Sequence, residues 1–154
     1  MDKIEPARPL VLTRDQHALL GEIVEIVGQI EGMLIQSAEK IDAVASAKLK
    51  GLTATPQAKL WAETVAAPVS NSELPTLIQA ARDELIRLAE DRNDFIHALY
   101  KGDYADGYFQ PGYQTTSAHR SKTGNRRSTS ELKDIRDRAA ALSCSVAQIA
   151  GAIA

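Results

Sequence analysis

A single cysteine, Cys144, occurs in 154 residues, so no disulfide can form within the chain, and a chain of this kind suits a reducing compartment. Long apolar runs are missing too. No segment reaches the ~18 uninterrupted apolar residues of a membrane span. The opening stretch MDKIEPARPLVL interleaves charges and prolines, whereas a secretory leader needs a continuous apolar run and a mitochondrial one needs Arg-rich, acid-poor sequence. The three histidines and one cysteine have no zinc-like spacing, so neither a metal nor another cofactor is expected. These absences leave a water-soluble chain, expected in the cytoplasm and without a membrane partner. One domain of residues 1–154 can bury roughly 70% of the surface its unfolded chain would expose, which is enough for a core without staples.

Charge is more informative in its distribution than in its total. The net charge is -2, yet residues 101–127 hold Lys101, Arg120, Lys122, Arg126 and Arg127 against only Asp103 and Asp106. A local basic zone on an acidic body suits a phosphate-bearing partner where that zone lies beside the chemistry.

Periodicity predicts an all-α, four-helix-bundle-like fold with three long helices and one short. An N-terminal arm of residues 1–13 leads to a capping box at Thr13-x-x-Gln16. The stripe Leu20, Ile23, Val27, Ile30, Leu34, Ser37, Ile41, Val44 then extends one helix over some eight turns. Leu19, Val24, Ile26, Met33 and Ile35 add apolar surface off that stripe, which places this helix centrally in a bundle or at a subunit interface. Gly28 and Gly32 lie one turn apart on it; they either admit a second backbone or are simply tolerated. Thr55 and Pro56 read as the N-cap and first position of a short helix to about residue 66, with Leu60, Trp61 and Val65 inward. Residues 68–73 read as loop. A third helix begins near Leu74 and Pro75 and runs to about Tyr100. Residues 102–127 lose the helical period and read as an excursion, either a small β-hairpin or an ordered loop. A second capping box, Ser128-x-x-Glu131, starts the last helix, whose stripe is Leu132, Ile135, Ala139, Leu142, Val146, Ile149 and Ile153.

The chemistry concentrates in DRNDFIHALYKGD, residues 91–103. Along the third helix the apolar rhythm Ile78, Ala81, Leu85, Leu88, Phe95, Leu99 needs a residue at position 92 and finds Arg92. A guanidinium cannot shed its charge, so an arginine on the core seam must meet an anion, carbonyls or a wet cleft. Asn93 and His97 stand four apart on one helix face, and Arg92 flanks that face by about 100°.

Arg92-Asn93-x-x-x-His97, near the end of the third helix of a small bundle, resembles the R-x4-6-H signature of the HEPN superfamily, which includes many metal-independent ribonucleases and toxin-antitoxin proteins. The likeness extends loosely over residues 14–154 as helix order and is specific at residues 92–97. It implies RNA cleavage by the neighbouring 2'-hydroxyl. His97 would carry the proton transfers, Arg92 would bind the phosphate oxygens, and Asn93 would orient one or the other. It also implies a homodimer in which two copies of the motif line one cleft, and, for toxin members, a cognate antitoxin. Tyr100, Tyr104, Tyr108, Phe109 and Tyr113, followed by the basic run His119 to Arg127, are compatible with RNA contact. Aromatics stack bases and cations neutralise phosphates, so Tyr100, Lys101, Tyr104, Arg120, Lys122, Arg126 and Arg127 are the RNA-binding candidates. Toxin members often carry a tyrosine two residues after the histidine; here Leu99 stands there and Tyr100 comes third.

Plainer readings stand beside this one. Arg92 pairs with a carboxylate such as Glu31 or Glu39, and the domain is a non-catalytic module that holds a nucleotide, RNA or protein, or a plain dimeric bundle. Asp94 reads as a solvated residue and Cys144 as a small core filler.

Overall fold

A computed structural model of the chain describes residues 14–68, 73–101, 104–105, 108–109 and 127–153, with backbone only for residues 95–101, the three short strands and Thr129. Five helices carry the fold: α1 (Arg14–Glu39), α2 (Ala43–Leu49), α3 (Ala54–Ala66), α4 (Leu74–Lys101) and α5 (Thr129–Ala152). α1 packs chiefly on α5, α3 on α4, and α4 on α5, while α2 joins α1 to α3. The chain is thus all-helical in its body and bundle-like. Among the described residues no helix is long and apolar enough to cross a membrane.

The eight-turn first helix is corrected by the structure. The α1 ladder closes with the amide of Asp42 donating to the Ala38 carbonyl at 2.8 Å, and Asp42 itself is extended, at φ -149 and ψ 103. Its carboxylate then accepts from the amides of Val44 at 2.9 Å and Ala45 at 3.2 Å, so it caps a new helix. The chain doubles back: Ser46 Oγ donates to the Ile35 carbonyl at 3.0 Å, whereas eleven residues of continuous helix would separate these residues by about 16 Å. Val44, expected on the core stripe, is 66% exposed in consequence. Within α1 the buried residues are Gln16, Leu19, Ile23, Ile30, Leu34, Ser37 and Ala38, so Leu19 is buried while Leu20 packs at the edge of the core.

α3 starts two residues earlier than the Thr55-Pro56 reading predicts, with Thr53 at the N-cap and Pro56 inside the first turn. The missing N–H of Pro56 costs nothing there, because first-turn amides have no intrahelical acceptor. Gln57 Nε2 donates to the Leu49 carbonyl at 3.0 Å and so occupies an acceptor at the end of α2. Trp61 Nε1 donates to Ser37 Oγ at 2.9 Å, and that hydroxyl donates to the Leu34 carbonyl at 3.1 Å. Trp61, the largest fully buried side chain, thereby pins α3 across α1.

α5 follows the predicted stripe from Leu132 to Ile149, and Ile153 lies just past its end, half-buried. Leu132, Ile135, Ala139, Leu142, Val146 and Ile149 are all buried, and they join Ile23, Ile30, Leu34, Leu49, Trp61, Val65, Ile78 and Leu88 in one core. Cys144 is exposed rather than a core filler. It falls two residues from both Leu142 and Val146, about 200° around the helix from each, and so points away from the stripe they define.

Among the described residues Gly28 and Gly32 do not admit a second backbone, since a Cβ at either would meet nothing within 4 Å. Between α4 and α5 three two-residue segments pair antiparallel in the order β1 (Tyr104–Ala105), β2 (Tyr108–Phe109), β3 (Arg127–Ser128). The rest of the 102–127 excursion lies outside the described residues, as do residues 69–72 of the expected loop and Thr13 of the first capping box.

The two readings of the first helix predict opposite signs for Asp42→Ala. With Asp42 as a cap, the substitution lowers unfolding free energy by about 1 kcal/mol. Were the helix continuous, alanine would be neutral or stabilising. A urea titration of both proteins reads the sign.

Candidate functional site

Arg92 sits where the interrupted stripe of α4 puts it, half-buried against α1 and α3. With Leu85 and Leu88 it lines a cavity whose other walls come from Val27, Ile30, Glu31 and Leu34 of α1 and Ala54 and Gln57 of α3. The cavity measures about 30 Å³, which is room for about two waters and far less than a nucleotide requires. Any phosphate bound by Arg92 must therefore lie on the outer side of the guanidinium.

The Nε of Arg92 is buried and has no hydrogen-bond partner. Among the described residues no hydrogen bond or ion pair reaches Arg92, so the expected pairing with Glu31 or Glu39 is not formed, although Glu31 shares the cavity wall. A buried donor without an acceptor costs on the order of 1–3 kcal/mol, and such atoms call for a local explanation. Two residues that carry acceptor oxygens, Glu31 and Gln57, line the same cavity, and the amide nitrogen of Gln57 is committed to the Leu49 carbonyl. Gln57 is a member of this site that the sequence reading missed, since nothing local ties residue 57 to residue 92.

Asn93, beside Arg92, is half-buried, and Asp94 is buried at 7% exposure rather than solvated. His97 follows one turn later on the α4 backbone, and its side chain lies outside the described residues. Of the RNA-binding candidates, Tyr100 and Lys101 end α4, Tyr104 is in β1 and Arg127 is in β3. The strand register sets Phe109 opposite both Tyr104 and Arg127, so an aromatic–cation ladder exists at the level of the backbone. Arg120, Lys122 and Arg126 lie outside the described residues.

The motif turn of α4 is held from the other side by α5. Arg138 donates through Nε to Glu84 Oε1 at 2.7 Å and through Nη1 to Asp91 Oδ2 at 2.7 Å. Partial burial works against the Arg138 charge, but the bonds to Asp91 and Glu84 outweigh it and hold the guanidinium above its ordinary pKa. Glu84 and Asp91 are seven residues apart, two turns on one face, and Asp91 immediately precedes Arg92. Their spacing is readable in sequence; their partner 47 residues downstream is not.

Among the described residues no group of three or more His, Cys, Asp and Glu side chains could hold a metal ion. Comparison with protein-family models, curated proteins and solved structures yields no match in any of the three.

Arg92→Met is a direct probe of the unpaired nitrogen. Because no bond is lost and a buried donor is removed, the variant should unfold within about 1 kcal/mol of the parent and on the stabilising side. A structural ion pair would instead show as a loss of about 3 kcal/mol or more on urea denaturation.

Proposed function

We propose that the chain is a HEPN-like, metal-independent endoribonuclease that acts as a homodimer. The observation that carries this reading is the buried, unbonded Nε of Arg92, a permanent cation on the core seam without a described anionic partner. Asn93 beside it and His97 one turn on supply the other groups of the motif.

In the proposed reaction His97 takes the proton from a ribose 2'-hydroxyl, and that oxygen attacks the adjacent phosphorus. The P–O5' bond breaks as a second imidazole, from the other copy of the motif, protonates the leaving oxygen. The products are a 2',3'-cyclic phosphate and a 5'-hydroxyl. Arg92 stabilises the charge that develops on the phosphorane oxygens. Among the described residues the inner cavity beneath Arg92 is too small for an RNA phosphate, so on this reading the phosphate is held on the outer side of the guanidinium, in a cleft that a second copy of the motif completes. The aromatics of residues 100–113 and the cations of 120–127 would then hold the flanking single strand.

A second reading is favoured by a specific observation. Glu31 stands on the same cavity wall as Arg92, and its charge opposes a phosphate there. That arrangement fits a non-catalytic module whose polar cleft holds a protein or RNA end without turnover.

Labelled single-stranded RNA incubated with the protein in excess EDTA distinguishes the two. On the first reading cleavage persists in chelator and falls by about 100-fold or more in His97→Ala and by a similar factor in Arg92→Ala. Cleavage indifferent to His97 ends the proposal, and RNA retention without cleavage, weakened by Arg92→Ala, establishes the second reading instead.

A further inference from the structure

The Arg138 guanidinium grips α4 at two heights. Its Nε donates to Glu84 Oε1 and its Nη1 to Asp91 Oδ2, both at 2.7 Å, and the two acids stand two turns, about 10 Å, apart along the helix axis. An arginine that fastens a helix through one carboxylate can place two nitrogens on it. Arg138 divides its fork instead, and Nη2 is left buried without a bond. What the division achieves is a hold on position 91, directly before the motif.

That hold falls where the core lets go. Glu84 lies between Ala81 and Leu88, both buried, whereas Leu88 is the last buried apolar residue of α4 among the described side chains. α4 nevertheless continues to Lys101, and the final carbonyls of a helix have no partners within it, so its last turns need anchoring from outside. Asp91 and Arg92 project about 100° apart and meet different neighbours. Asp91 is held by α5, while Arg92 lines the cavity between α1 and α3 with its Nε buried. A rotation that freed Asp91 would therefore swing Arg92 off its wall.

We propose that Arg138 is a positioning residue for Arg92: by holding Asp91 it fixes the rotation of the motif turn and so the direction in which the Arg92 guanidinium is presented. The inference rests on the ribonuclease reading for its consequence in catalysis, but the orientation of Arg92 is measurable without it. A clamp that served stability alone would give Glu84 and Asp91 equal roles, because the two bonds are equally long and the carboxylates similarly exposed, at 25% and 20%. Charge alone would give the opposite sign, since Asp91→Asn removes a negative group beside the phosphate-binding arginine.

The full chain and its Asp91→Asn, Glu84→Gln and Arg138→Gln variants test this in two measurements: hydrogen exchange at the Arg92 Nε–H by NMR, and cleavage of labelled single-stranded RNA in EDTA. Asp91→Asn and Arg138→Gln should each speed the exchange by about tenfold, and Glu84→Gln by less than about threefold. The same two variants should lower kcat by about 10- to 100-fold with KM changed by less than about twofold. Should Arg138→Gln fail to fold, Asp91→Asn against Glu84→Gln carries the same comparison. Equal effects of those two on exchange, exchange unmoved by either, or faster cleavage in Asp91→Asn overturns the proposal. A parent that cleaves no RNA ends the ribonuclease reading and leaves the exchange comparison to decide this one.

Discussion

The carboxylate of Asp42 decides the arrangement of everything that follows it. By capping the amides of Val44 and Ala45 it makes a fresh helix start more favourable than continuation of α1, and the chain folds back along the helix it has just left. Only then can Gln57 reach the end of α2 and Trp61 reach Ser37. The cavity beneath Arg92 is a consequence of the same reversal, because its α3 wall, Ala54 and Gln57, exists only if the short helix crosses α1 at that height. The cavity beside Arg92 on α4 thus depends on a cap some fifty residues earlier.

Two arginines show how differently a bundle can treat the same side chain. Arg138 and Arg92 each carry a buried nitrogen without a partner. Arg138 is compensated by two carboxylates at 2.7 Å and fastens α5 to α4, a structural use of charge. Arg92 has no such compensation among the described residues, and its Nε is buried beside a cavity with room for about two waters. A buried donor without an acceptor is a cost to stability on the order of 1–3 kcal/mol. The ribonuclease proposal accounts for it by an anion arriving from outside.

The helices that read correctly from sequence are those in which one apolar period persists along nearly the whole length. α5 is buried at every predicted stripe position from Leu132 to Ile149, and the bounds of α4 agree with expectation at both ends. The first helix misled because Ile41 and Val44 continue a spacing of 3 and 4 by coincidence. The signal against continuation was present in Asp42, a strong N-cap residue placed just before a run of small helix formers, but periodicity outweighed it. Asp94 and Cys144 were misassigned for a related reason: residue type suggested an environment that their angular positions on α4 and α5 contradict. At the candidate site Arg92 was legible as a break in the stripe, and Glu31 was named as a neighbour. Gln57 and the Arg138 clamp were not, since each comes from a different helix.

Sequence alone determined that the body of the chain is helical, which face of α4 and α5 is apolar, and that one cation interrupts the face of α4, because these follow from interactions within a few residues of each other. Tertiary structure decided the rest: where α1 ends, which wall faces Arg92, how little room lies beneath it, and which carboxylates go to which arginine. Those outcomes depend on the relative height and rotation of separate helices. These are set by the packing of Trp61 and the core around it, a many-body fit that no local pattern encodes.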